Sequence, residues 1–278
     1  MLLFLLLQVI LYGTVINCCA ETQVVVLDVG MGQSLLLVDE GHGLLVDTGL
    51  ANYAPHVLSR LQTYGVKYLD NLLLTHLHSD HAGGYLEIRK AWPHASVLES
   101  CYFPEVLHPD EQDQFLNIHG ALMLDPLRGC LHKGDTMQWR GHEIKVLWPG
   151  VFAREDLNYH SLVLLVTFKH GQTLLIMGDA NRLVGNRLYE PLQVLVGKRG
   201  VDILMVGHHA ASDSSDPVFL AAVRPGFSIV SVGADNPYDY PSESSLAVLH
   251  KHSRNVLRTD RDGEICFALH STSVSLCK

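Results

Sequence analysis

Residues 76–81 read His76-Leu77-His78-Ser79-Asp80-His81, four potential metal ligands in six positions, directly after an apolar run at 71–75. On a regular strand or helix these side chains cannot all face one way. On a loop leaving a strand end they can wrap around a pair of cations. Imidazole and carboxylate suit zinc, and also manganese or iron. Gly83-Gly84 then permits close backbone approach and a tight start to a helix. The stretch sets a strand–loop–helix unit with its chemistry at the strand end.

Three other strand ends repeat this design. Leu174-Leu175-Ile176-Met177-Gly178-Asp179 ends an apolar run on a carboxylate, which is costly there unless it meets a cation or strong donors. Val206-Gly207-His208-His209-Ala210 ends on two adjacent histidines. Neighbouring side chains point apart, so one of the pair serves as a ligand and the other is free for substrate. Leu45-Val46-Asp47-Thr48-Gly49 ends on a carboxylate placed to orient a liganding histidine rather than to bind metal.

The remaining pattern predicts strands at 24–27, 35–38, 44–46, 71–75, 96–98, 143–147, 162–168, 173–177, 203–206 and 227–232. A hairpin turn falls at Gly41-His42-Gly43. Helices are expected at 55–64, 86–92, 187–196, 217–223 and 244–252, with a helix and loops over 104–125. Strands come as neighbours with helices between groups, which predicts a mixed α/β domain. No Gly-X-Ser-X-Gly elbow or Walker-type loop is present, so serine nucleophiles and nucleotide-driven chemistry have no support. Gly30-Met31-Gly32-Gln33 lacks dinucleotide-fold spacing and reads as a tight turn near the metal cleft.

These stretches, with 27–33, 158–164, 232–236 and 258–263, resemble the metallo-β-lactamase superfamily, and within it the hydrolase domain of the ComEC family of competence proteins. The resemblance implies an αβ/βα sandwich of two mixed sheets flanked by helices, with two divalent metal ions in a cleft at one edge. It implies that His76 and His78 hold the first metal, that Asp80 and His81 hold the second, and that Asp179 bridges. One of His208 and His209 completes the second site; His209 is assigned here as ligand and His208 as the free group. For the third ligand of the first metal, His160 is preferred over Asn158, which matches a ComEC-like asparagine. Asp80 would orient a metal-activated hydroxide, and His208 would stabilise an oxyanion or protonate the leaving oxygen. The chain departs from the family in carrying Asp239-Tyr240-Pro241 where ComEC-like domains tend to have Gly-His-Pro.

The expected substrate is a phosphodiester, with single-stranded DNA as one form. An ester, lactone or β-lactam is the alternative, and a non-catalytic binding protein on the same fold a minor one. The net charge of −9 argues against a large nucleic-acid footprint. A modest strand-binding groove could use Lys198, Arg199, Lys251, Arg254, Arg258 and Arg261, with Tyr238 and Tyr240 as stacking surfaces. No obligate protein partner is inferred. Met1 to Ile16 is almost wholly apolar and Cys18-Cys19-Ala20 follows, so residues 1–20 read as a signal peptide cleaved after Ala20, with a short membrane anchor as the alternative. Residues 21–278 would then form an exported, periplasmic or extracellular, hydrolase domain without ComEC's membrane channel. Its four cysteines, Cys101, Cys130, Cys266 and Cys277, allow two disulfides without fixing partners, or remain reduced.

Overall fold

A computed structural model describes residues 22–102, 109–150 and 157–277; the expected targeting segment lies outside them. The strands are β1 (Thr22–Val26), β2 (Leu35–Asp39), β3 (His42–Val46), β4 (Tyr68–Leu73), β5 (Ser96–Ser100), β6 (Arg128–Leu131), β7 (Thr136–Trp139), β8 (His142–Trp148), β9 (Val163–Thr167), β10 (Thr173–Ile176), β11 (Ile203–Met205), β12 (Phe227–Val230), β13 (Asn255–Arg258), β14 (Ile265–Leu269) and β15 (Val274–Leu276). The helices are α1 (Ala54–Thr63), α2 (Ser79–Ala82), α3 (Tyr85–Ala91), α4 (Pro109–Met123), α5 (Arg182–Val196), α6 (Pro217–Val223), α7 (Glu243–His252) and α8 (Thr259–Asp262).

Two mixed sheets result, ordered β15-β14-β1-β2-β3-β4-β5-β6 and β13-β12-β11-β10-β9-β8-β7. In each, one half is antiparallel and the other parallel: β3 to β6 run parallel in the first sheet, and β10 to β13 in the second. Alternation along the strands explains the layers. Val24, Val26, Leu35 and Leu37 face Val146, Leu164, Val166 and Ile176 between the sheets. Val25, Leu36 and Val38 point outward under Val57, Leu61 and Ile88 of α1 and α3. Leu175 and Leu204 likewise sit under Val184, Leu188 and Phe219 of α5 and α6. Strands covered on both faces have no polar side to show, which is why the sequence shows continuous apolar runs there. The expected αβ/βα sandwich is the observed one.

The hairpin at Gly41 joins β2 to β3 in register Leu35↔Val46. Five strands fall where no element was expected: β6, β7, β13, β14 and β15. Most of these are short, partly exposed pieces at the ends of the two sheets. Two disulfides pin the margins of the first sheet: Cys101–Cys130 ties the end of β5 to β6, and Cys266–Cys277 ties β14 to the residue after β15. Among the described residues no helix is long and apolar enough to cross a membrane.

One ion pair fastens α3 to the turn after α4. Arg89 donates to both oxygens of Asp125 (Nε–Oδ2 2.5 Å, Nη2–Oδ1 2.9 Å), and the Tyr85 hydroxyl donates to Oδ2 at 2.8 Å. Burial alone would push the Asp125 carboxyl up, but the hydrogen bonds from Arg89, the Leu127 amide and Tyr85 hold it below its ordinary value. The folded chain therefore binds this proton more weakly than the unfolded chain. The stabilisation is present above about pH 4 and is lost as pH falls through the lowered value. Asp125→Asn is expected to lower stability at neutral pH by about 1–3 kcal/mol and to flatten this part of the acid dependence, as read from urea unfolding between neutral and acid pH.

Candidate metal centre

The predicted residues Asp47, His76, His78, Asp80, His81, Asp179, His208 and His209 follow the C-terminal ends of β3, β4, β10 and β11. His76 and His78 follow β4, His78 in extended backbone, and Asp80 and His81 lie on the single turn of α2. Asp179 follows β10, its amide donating to the Ser161 hydroxyl at 3.1 Å. After β11, His208, His209 and Ala210 all take left-handed backbone, with φ of 47°, 50° and 60°. This favours glycine, and it turns the two imidazoles of the pair to different surroundings. His209 is buried, and His208 faces the cleft.

Two donor sets form, with Asp179 in both. Asp80, His81, Asp179 and His209 make one; His76, His78 and Asp179 make the other, and within each set the ligand atoms lie within 4.8 Å of one another. In the first, His81 Nε2 is 3.0 Å from Asp179 Oδ1 and 3.3 Å from His209 Nε2, which is itself 3.3 Å from Asp80 Oδ2. In the second, His76 Nε2 lies 2.9 Å from His78 Nδ1 and 3.7 Å from Asp179 Oδ2.

The outer nitrogens fix which atoms point inward. His209 Nδ1 donates to the Ser231 carbonyl at 2.8 Å, so its Nε2 presents a lone pair to the cluster. His81 Nδ1 donates to Asp47 Oδ2 at 2.8 Å. Asp47 is wholly buried and accepts three further bonds: from Gln33 Nε2 at 2.7 Å, the Thr75 amide at 2.7 Å and the Thr75 hydroxyl at 2.8 Å. Through this bond Asp47 holds the His81 ring from the side away from the other donors.

This arrangement is short of positive charge. Burial would raise the Asp179 carboxyl, yet the nearby His81 and His209 hold it well below its ordinary value, and Asp80 is lowered the same way. Burial would lower His81, but Asp179, Asp47 and Asp80 carry it well above the usual imidazole range. His76 is driven well below that range by burial and by the charge on His81. Asp179 Oδ1 is buried with no hydrogen-bond donor aligned on it. Carboxylates and imidazole lone pairs that converge in this way are satisfied by cations, and the residues fit a binuclear metal site with Asp179 in both donor sets.

The cleft over the cluster has a volume of about 480 Å³. Asn158 lies on its wall, with Nδ2 3.3 Å from His208 Nε2. His160 ends the same short helical turn but is buried beside a small cavity that it shares with His76, outside the second donor set. Tyr238 and Tyr240 form the rim, stacked with centroids 5.5 Å apart, and Tyr240 also packs edge-on against His208. Asn236 holds them there by accepting from both tyrosine amides. The basic groove does not form: no lysine or arginine lines the cleft among the described residues. Arg258 is paired with Asp260, and Arg199 and Arg254 line a separate cavity. Sequence reasoning missed Asp213, whose Oδ1 lies 3.4 Å from His208 Nδ1, and Phe115, which enters the cleft from α4. Asp213 follows a bland Ala-Ser pair, and nothing in its spacing marks it.

Residues 27–234 match the family model of the metallo-beta-lactamase superfamily, and the chain belongs to that superfamily of metal-dependent hydrolases. It is 32% identical over 87% of its length to Recombination protein 2 of Haemophilus influenzae, and 32% identical over 90% to Competence protein ComA of Neisseria gonorrhoeae. It spans only 28% and 32% of those two proteins. A Hydroxyacylglutathione hydrolase of Aeromonas salmonicida is 28% identical over 62% of this chain and 59% of its own. Among solved structures, the metallo-beta-lactamase fold protein YhfI of Bacillus subtilis superposes with a TM-score of 0.57 at 14% identity, covering 92% of this chain and 100% of that one.

Asp47→Asn replaces a carboxylate facing four donors with a group that has one acceptor oxygen and two N–H bonds. The variant is expected to bind metal about 10–100-fold more weakly, as measured by chelator competition. It is also expected to lose about 3–5 kcal/mol of stability, as measured by urea unfolding.

Proposed function

We propose that the chain is an exported phosphodiesterase that acts on nucleic-acid strands, single-stranded DNA first, using two zinc ions with manganese as the alternative. The observation that carries this reading is the stacked Tyr238–Tyr240 pair at the rim of the cleft, directly beside His208 and Asn158. Such a pair offers a base a flat apolar face with no demand on sequence. Likeness to a competence protein supports the same substrate class. The two disulfides support export, because such bonds persist in oxidising compartments.

In this reading His76, His78, Asp80, His81, Asp179 and His209 hold the metals, which when bound activate water and polarise the ester. A base stacks on Tyr238, which sets the position of the neighbouring phosphate. Asn158 donates toward the cleft and steadies His208. Asp213 faces Nδ1 on the other side of that imidazole, so Nε2 presents a lone pair that would take up a proton and then pass it to the leaving oxygen. Buried His160 packs beneath His76. The cleft carries no cationic side chain among the described residues, so binding rests on stacking and metals. Salt dependence of cleavage should therefore be shallow.

Hydrolysis of a neutral thioester or lactone is the second reading, favoured by the likeness to a Hydroxyacylglutathione hydrolase. The test is cleavage of bis(p-nitrophenyl) phosphate, single-stranded DNA and a thioester by the metal-loaded chain and its Tyr238→Ala and Asp213→Asn variants. The phosphodiesterase reading predicts chelator-sensitive turnover of the first two. Tyr238→Ala is expected to raise KM for DNA about 5–150-fold, a loss of about 1–3 kcal/mol of stacking, with little effect on the small diester. Asp213→Asn is expected to lower kcat on both substrates about 10–100-fold. Thioester turnover without phosphodiester cleavage would overturn this reading and install the second.

A further inference from the structure

β10, β11, β12 and β13 run parallel, so the ends opposite the metal centre also lie together. Thr173 to Asp179 along β10 is six steps, which puts this second end roughly 20 Å from the cluster. The residues just before these strands, with the turn after β14, enclose a separate cavity of about 330 Å³. Its lining includes Arg199, Arg224, Arg254, Gln172, Asp202 and Ser271.

We propose that this cavity is a binding site for a phosphate-bearing ligand of mononucleotide size, either a free nucleotide or the phosphorylated end of a strand. Three guanidinium groups against one carboxylate make a local reversal of sign in a chain of net charge −9. Two of the three are held in place. Arg199 Nη2 forks onto both oxygens of Asp202 at 3.1 and 3.0 Å, and its Nη1 donates to the Gly171 carbonyl at 3.0 Å. Arg224 caps α6 in left-handed backbone, at φ 42°, where glycine is the usual residue, and its guanidinium donates to the Gly197 carbonyl. Arg254 makes no side-chain hydrogen bond or ion pair among the described residues, so its charge is available to a ligand.

The space is larger than a bare phosphate needs, so arginines holding a phosphate would leave room for the sugar that carries it. Guanidinium groups match phosphate oxygens in pairs, and the volume sits at the small end of ligand cavities. None of this depends on the reaction proposed for the metal cleft.

The test is calorimetric titration of the full chain with a nucleoside monophosphate, its unphosphorylated nucleoside, inorganic phosphate and a 5′-phosphorylated single-stranded oligonucleotide. Each ligand is also titrated into the Arg254→Ala and His78→Ala variants, with thermal melts to confirm folding. One monophosphate is expected per chain, with a Kd of about 1 mM or below, and no binding of the nucleoside. Arg254→Ala should weaken binding about tenfold, the loss of one charged pair, and His78→Ala should leave it unchanged. Monophosphate binding that Arg254→Ala weakens while oligonucleotide binding is unaffected identifies a free nucleotide as the source, and an equal weakening of both identifies a strand end. Two results would overturn the proposal: no saturable binding by any phosphate ligand up to about 10 mM, or binding lost in His78→Ala but kept in Arg254→Ala.

Discussion

The carboxylate of Asp47 is shut off from water and accepts four hydrogen bonds, and the rest of the site is built around it. A buried charge of this kind is tolerated only when every lone pair is met. The four donors come from the β1–β2 loop, the end of β4 and α2. Asp47 therefore fixes where the first sheet ends and the metal loop begins. It also sets the tautomer of His81, which aims Nε2 at Asp179 and His209 in the second sheet. One carboxylate thus couples local loop geometry to the meeting of the two sheets.

The loops around that anchor are held by contacts that leave little freedom. A side chain at Gly32 would strike the Asp80 carbonyl, and one at Gly207 would strike the Ala180 carbonyl. Three consecutive left-handed residues at His208–Ala210 store about 1–2 kcal/mol each. Glycine there would relieve the strain but would remove the imidazoles. Neighbouring helices and strands, packed on both faces of each sheet, provide the rigidity that sustains it.

Most of the fold was legible because doubly covered strands are continuous apolar runs and because each ends in a polar residue with a task. Asp179 and the 76–81 ligands could be read for the same reason: a carboxylate or a histidine cluster closing such a run has few inexpensive explanations. Less was legible where periodicity is weak. β6, β7, β13 and β15 are short, partly exposed pieces, and their place in the sheets comes from pairing rather than from their own residues. His160 and Asn158 could not be separated by spacing, since a three-residue turn sends one into the cleft and the other beneath it. Basic residues that cluster in sequence divide in space: Arg199 and Arg254 end up at the far end of the second sheet, away from the tyrosines.

The resulting molecule has a polar metal cleft with an aromatic rim at one end of its parallel strands and an arginine-lined cavity at the other. Asp179 belongs to both donor sets and would join them into one binuclear centre. Anomalous diffraction from crystals of the zinc-loaded chain tests this most directly. The account predicts two peaks, one on each side of the Asp179 carboxylate, among His76 and His78 and among Asp80, His81 and His209. A single peak, or a second peak away from Asp179, would contradict it.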